Sequence, residues 1–75
     1  MNAAAAEGKI NINTASAVEF QTLKGIGETI AQRIIDYRET NGLFKATDEI
    51  KNTKGVGNKI FENIKDQITV GSTVN

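Results

Sequence analysis

The chain has 75 residues, nine of them basic and nine acidic, so its formal net charge is zero, and it contains no cysteine, histidine or proline. No disulfide or thiolate metal site is available, and with histidine go the commonest general base, zinc ligand and near-neutral pH switch. This length supports one small domain with a modest core. No apolar run approaches the ~20 residues of a membrane span, and the opening MNAAAAEGK lacks the basic-then-apolar order of a signal peptide.

Residues 1–9 read as a flexible tail or linker remnant, 10–70 as the domain, and 71–75, GSTVN, as a second tail. Within the domain the pattern is helical. In SAVEFQTL, Ser16 and Glu19 form a capping box, and Phe20 and Leu23 share one face. Gly25 then ends this short helix. In IGETIAQRIIDYRETNG, Ile26, Ile30 and Ile34 recur every four residues, with Glu28, Gln32, Arg33, Asp36 and Glu39 on the other face. That is an amphipathic helix, and Gly42 is its stop. Leu43 and Phe44 follow as apolar plugs for the core. Thr47 is the expected N-cap of a second short helix anchored by Ile50. In VGNKIFENIKDQI, the four-residue repeat of Val56, Ile60, Ile64 and Ile68 predicts a second amphipathic helix running to Ile68.

KGIGETI at Lys24 returns as KGVGNKI at Lys54, thirty residues on. Aligning Gly25 with Gly55 also sets Phe20 on Ile50, Ile26 on Val56, Ile30 on Ile60 and Ile34 on Ile64. The chain is therefore an internal repeat. Neither half buries its stripe alone, but two halves about a pseudo-two-fold axis do.

The G-x-G turn has a chemistry of its own. Glycine accepts positive φ at little cost and lets another molecule approach the backbone closely. The amides of the turn and of the following helical turn are orphan donors, which attract phosphate. Two such turns suit the two strands of a duplex, and backbone phosphates carry no sequence information. Lys24 and Lys54 precede the glycines, Lys51 and Lys59 flank the second turn, and Thr29 offers a hydroxyl near the first. The second turn is the more basic. A nucleic-acid binder usually shows a basic excess, so neutrality makes the placement of these lysines the issue. Tyr37, Phe44 and Phe61 read as packing residues.

The stretch from Asn11 to Ile68 resembles the tandem helix-hairpin-helix domain of the ComEA family of competence proteins. The resemblance is carried by NINTAS, by GIG followed by AQRIIDYR, by the NG-x-FK connector and by the second KGVG. It implies a small all-α, SAM/HhH2-like domain of two hairpin motifs. It also implies sequence-independent binding of double-stranded DNA during DNA uptake for natural transformation. Gly25, Ile26 and Gly27 would form the first hairpin, and Gly55, Val56 and Gly57 the second, holding phosphates across the minor groove. Other uptake-machinery proteins are implied partners, and the periplasm or outer face of the bacterial cytoplasmic membrane is the implied location. Such proteins carry a membrane anchor or signal sequence, and this chain resembles their soluble part. The resemblance implies no cofactor; a monovalent cation at hairpin carbonyls such as those of Leu23 and Ile26 stays open. Lys24 and Leu43 stand where the family commonly has proline, and Ala46 where it often has a capping serine, which moves the expected cap to Thr47.

The alternative is a structural or protein-interaction module of the same fold without DNA binding. Catalysis is the weakest reading. DNA glycosylases use a G-x-G hairpin too, but with a large cleft and a catalytic aspartate or lysine. Here Asp36 and Asp66 occupy outward positions, and no acidic pair set for metal-assisted cleavage is visible.

Overall fold

The computed structural model describes residues 8–71. The expected tails lie largely outside this range. The elements are β1 (Ile10–Asn11), α1 (Ala17–Phe20), α2 (Glu28–Asn41), a 3-10 helix (Thr47–Asn52), α3 (Asn58–Ile64), a short 3-10 turn (Lys65–Gln67) and β2 (Ile68–Thr69).

α1 begins at the capping box. The Glu19 amide donates to Ser16 Oγ at 3.2 Å and the Ser16 amide to Glu19 Oε1 at 2.9 Å. Two orphan donors are thereby satisfied in one turn. α2 runs to Asn41 and stops at Gly42, whose φ of 95° only glycine adopts readily. The second short helix is 3-10, and its cap falls on Ala46 rather than Thr47, with no side-chain bond. Alanine has no oxygen to offer, and Glu49 Oε1 instead accepts from the Lys45 amide at 2.9 Å.

α3 is half the length of α2 and does not reach Ile68. Past Ile64 the chain tightens into 3-10 and becomes extended. Ile68 pairs in parallel with Ile10, and Thr69 with Asn11. The Ile12 amide extends the pairing by donating to the Thr69 carbonyl at 2.9 Å. An apolar residue at the fourth position of a stripe serves a strand as well as a helix. Here it closes the domain by joining its first and last described segments. The domain is thus all-α apart from this two-residue ladder.

The core is one cluster that both repeats feed, including Phe20, Ile26, Ile34, Ile50, Val56 and Ile64, with Ile12 and Ile68 from the closing segments. Phe44 joins it, but Leu43 is 65% exposed, against expectation. The cause is Asn13. Its Oδ1 accepts from the Phe44 amide at 2.7 Å, and its Nδ2 donates to the carbonyls of Phe44 at 3.0 Å and Val70 at 3.1 Å. This clasp seats Phe44 inward, where it stacks on Tyr37 with centroids 5.3 Å apart. Leu43, one residue earlier, is left outside. The NINTAS segment now has a physical account. Asn11 Oδ1 accepts from the Asn13 amide at 2.8 Å and presents the clasp, and Ser16 starts α1. Arg38 ties α2 to the same segment, donating to the Ile12 carbonyl at 2.9 Å above the Phe20 ring.

Asn13→Ala removes three hydrogen bonds and strands the Phe44 amide. At roughly 1 kcal/mol per net bond it should cost about 2–3 kcal/mol in urea unfolding. The melting temperature should fall on the order of 10 °C or more.

Candidate nucleic-acid interface

Each repeat places a tight turn between its two helices. In the first, the Ile26 amide donates to the Leu23 carbonyl at 3.1 Å, and in the second the Val56 amide donates to the Thr53 carbonyl at 3.0 Å. The third residue of each turn has positive φ, 89° at Gly25 and 102° at Gly55. That is the type II requirement, and glycine meets it without strain. Ile26 and Val56 are buried and anchor the turns from beneath. Residues 21–30 and 51–60 repeat the same order of buried, half-buried and exposed positions, residue for residue. The repeat read in the sequence is therefore a repeat of geometry.

The two turns are locked to each other's motif. A methyl group placed at Gly25 would lie 3.4 Å from Ile60 Cγ1, and one at Gly55 would lie 3.1 Å from Ile30 Cγ1. Ile30 and Ile60 are themselves related by the repeat. Reciprocal contact of this kind is the mark of a two-fold relation.

The second glycine of each turn is different. Gly27 has φ −100° and ψ −167°, and Gly57 has φ −92° and ψ −172°. Any residue adopts this extended backbone. A methyl group at either would meet nothing within 4 Å. Both are N-caps that make no side-chain bond, of α2 and α3. A serine, aspartate or asparagine would cap these helices at least as well. The fold does not ask for glycine here. What glycine leaves is bare backbone over open space, with the amides of Glu28 and Thr29, or of Asn58 and Lys59, uncapped beside it.

Lys24, Lys51, Lys54, Lys59 and Thr29 are all exposed. Lys24 and Lys54 are inside the turns, and Thr29 and Lys59 lie in the first turn of the helices that follow. Lys51 leans over the Phe61 ring, its ammonium 5.1 Å from the centroid. Phe61 is therefore half-buried under a cation rather than fully in the core. The Leu23 and Ile26 carbonyls belong to the first turn, the former already accepting from the Ile26 amide. Among the described residues no group of three or more acidic side chains could hold a metal ion. Lys65 has its pKa raised by its hydrogen bond to Glu62 at 2.9 Å and by that carboxylate's charge. The pair is exposed and contributes little to stability.

One neighbour of the turns was not among the candidates. Arg33, on the polar face of α2, brings Nη1 within 3.4 Å of a methyl group placed at Gly55. A single helix pattern does not give this away. The repeat does, once it is known that Ile30 seats the second turn, because Arg33 lies one helical turn beyond Ile30.

Two copies of helix, type II glycine turn and helix, packed reciprocally, define a tandem helix-hairpin-helix domain. The chain belongs to the helix-hairpin-helix motif family, which matches residues 5–69. It is 48% identical over 61 residues to ComE operon protein 1 of Bacillus subtilis, covering 81% of this chain and 30% of that protein. It is 38% identical over 71 residues to endonuclease/exonuclease/phosphatase family domain-containing protein 1 of Xenopus laevis, covering 95% of this chain and 13% of that protein. An uncharacterized protein of Haemophilus influenzae is 41% identical over 61 residues, covering 80% of this chain and 54% of its own length. The chain thus spans a third or less of the first two relatives and about half of the third.

The two glycines of one turn should respond differently to substitution. Gly55→Ala forces positive φ on a residue with Cβ and crowds Ile30, so it should lose about 1–3 kcal/mol of stability. Gly57→Ser should change stability by no more than about 0.5 kcal/mol. Chemical denaturation of the two variants checks the difference.

Proposed function

We propose that this domain binds double-stranded DNA without sequence preference, through backbone phosphates held at its two hairpins, and that it serves DNA uptake in natural transformation. The observation that carries the reading is the pair of N-cap glycines, Gly27 and Gly57, bare and unobstructed where the fold itself would accept a capping side chain. A phosphate oxygen can reach the amides there, because no Cβ stands in the way. Gly25 and Gly27, and Gly55 and Gly57, are the backbone contacts, while Ile26 and Val56 hold each turn from beneath with their amides spent on the Leu23 and Thr53 carbonyls. Lys24, Lys54 and Lys59 add charge at the hairpin rims, Lys51 at the edge of the second, and Thr29 a hydroxyl donor at the first.

The kinship with ComE operon protein 1 supports the setting in competence, as does the resemblance of NINTAS and the two K-G-x-G turns to the ComEA family. On this reading the protein acts in the periplasm or at the outer face of the cytoplasmic membrane, beside other uptake proteins. The domain is a binding module and not a catalyst. The vertebrate relatives share only this segment, 13% of the Xenopus laevis protein, so whatever the rest of them does is not carried over. A single domain neutralises few phosphates. Firm holding of DNA then comes from several copies on one molecule.

The test is fluorescence anisotropy of a labelled duplex at several salt concentrations. With a slope near −0.9 per phosphate neutralised, two hairpins and a few lysines give roughly −3 to −5, equal for unrelated duplexes of about 20 base pairs. Gly57→Asp should keep the fold, since aspartate caps helices well, while setting a carboxylate where the phosphate belongs, and should weaken binding by at least about tenfold. Absence of binding at low salt would leave the hairpins as turns only and favour a protein-interaction module.

A further inference from the structure

The two hairpins share a backbone but not their surroundings. Among the pairs of positions related by the repeat that differ in charge, four around the hairpins bear on anion binding. Gln21 answers to Lys51, Glu28 to Asn58, Thr29 to Lys59 and Asn63 to Arg33. The first three differences lie beside each motif's own hairpin. The fourth crosses over, because each long helix packs against the other motif's turn. The second hairpin receives Arg33 from α2, and the corresponding residue on α3 is the neutral Asn63. All four differences favour an anion at the second hairpin.

Arg33 is also free to act. It is exposed, and among the described residues no carboxylate pairs with it. Asp36, three residues along, accepts from Gln32 Nε2 at 3.1 Å. Beside the second turn lies an open cleft of about 340 Å³, whose walls include Arg33, Asp36, Tyr37, Asn41, Thr53 and Lys54. Arg33 and Lys54 bring two cations to it against the one carboxylate of Asp36. Thr53, in the same wall, is 3% exposed, and its Oγ1 has no hydrogen-bond partner among the described residues. The first motif has Leu23 at this position. A buried hydroxyl without a partner costs stability that a valine there would not, so the fold alone does not account for it.

We propose that Arg33 is a phosphate ligand of the second hairpin, delivered across the pseudo-two-fold axis by α2, and that it makes the second hairpin the principal DNA contact. This rests on the duplex-binding reading above. The phosphate adjoining the one at Gly55–Gly57 lies against the mouth of the cleft, between the Arg33 guanidinium and the Lys54 ammonium. A guanidinium offers two parallel donors to the two free oxygens of a phosphodiester.

The experiment is the salt titration of duplex binding on the wild-type domain, Arg33→Asn and Asn63→Arg, each checked for folding by thermal circular dichroism. Both positions are exposed, so the variants should melt with the wild type. Arg33→Asn should reduce the salt slope by about 0.9 and Asn63→Arg should increase it by about the same amount, as expected for one phosphate fewer or one more neutralised by the protein. In the same assay Gly57→Asp should weaken binding more than Gly27→Asp. Wild-type binding with Arg33→Asn unchanged in slope and within twofold in affinity overturns the role of Arg33 and leaves duplex binding standing. A wild-type domain that binds no duplex at low salt overturns both.

Discussion

The seating of each glycine turn on an isoleucine of the other motif is the interaction on which the rest of the structure depends. Gly25 lies against Ile60, and Gly55 lies against Ile30. Each seat needs a residue without Cβ at positive φ, and each fixes the distance between a turn and the opposite long helix. Together they set the two turns in one frame. They also explain why half of this chain would not fold. The stripe of α2 is completed by the second turn, and that of α3 by the first. The rest of each stripe packs into the shared core, with α1 against α2. The Asn13 clasp and the short parallel ladder then close the ends of the frame rather than create it.

Within each turn the two glycines divide the work. Gly25 and Gly55 answer to the fold through φ, and Gly55 through packing as well. Gly27 and Gly57 start α2 and α3 with their carbonyls, which any residue would supply. Their backbone is ordinary, their surroundings are open, and their position is one where a capping side chain would add stability. Functional and strained sites are where local rules of this kind are expected to be broken. The pattern G-x-G is therefore two different constraints written with one letter.

Much of this was legible in the sequence. The capping box, the stop at Gly42, the repeat and its alignment, and the two glycine turns follow from capping chemistry, glycine chemistry and four-residue periodicity, which act locally. What was not legible depends on interactions between distant segments. Ile68 fits a helical stripe, and only its partner Ile10 turns it into a strand. Leu43 and Phe44 are equally apolar, and only Asn13, 31 residues upstream of Phe44, decides which one is buried. The cap at Ala46 could not be read because the bond that relieves it comes from Glu49, four residues beyond the amide it serves. Arg33 had the pattern of a solvated face, and became part of the candidate site only through the reciprocal packing that brings α2 to the second turn. Positive φ was expected of the G-x-G turn as a whole; the structure confines it to Gly25 and Gly55, and the separate role of the second glycine needed the open space around it.

Zero net charge looked like an argument against a nucleic-acid partner, but under the proposed reading it is a weak one. Backbone amides carry no formal charge, so a site built on them does not register in a count of lysines and acids. The count also averages over a surface that is not uniform. The repeat gives a symmetric frame, and the four matched differences at Lys51, Asn58, Lys59 and Arg33 lay an asymmetric charge on it. Helical acids such as Glu39 and Glu62 balance the total from exposed positions of the long helices. At physiological salt, charges more than about 8 Å from a phosphate are largely screened, so the local set at a hairpin outweighs the sum. A domain can therefore be neutral as a whole and still present one hairpin that attracts a polyanion and a second, nearly neutral one that depends on its amides.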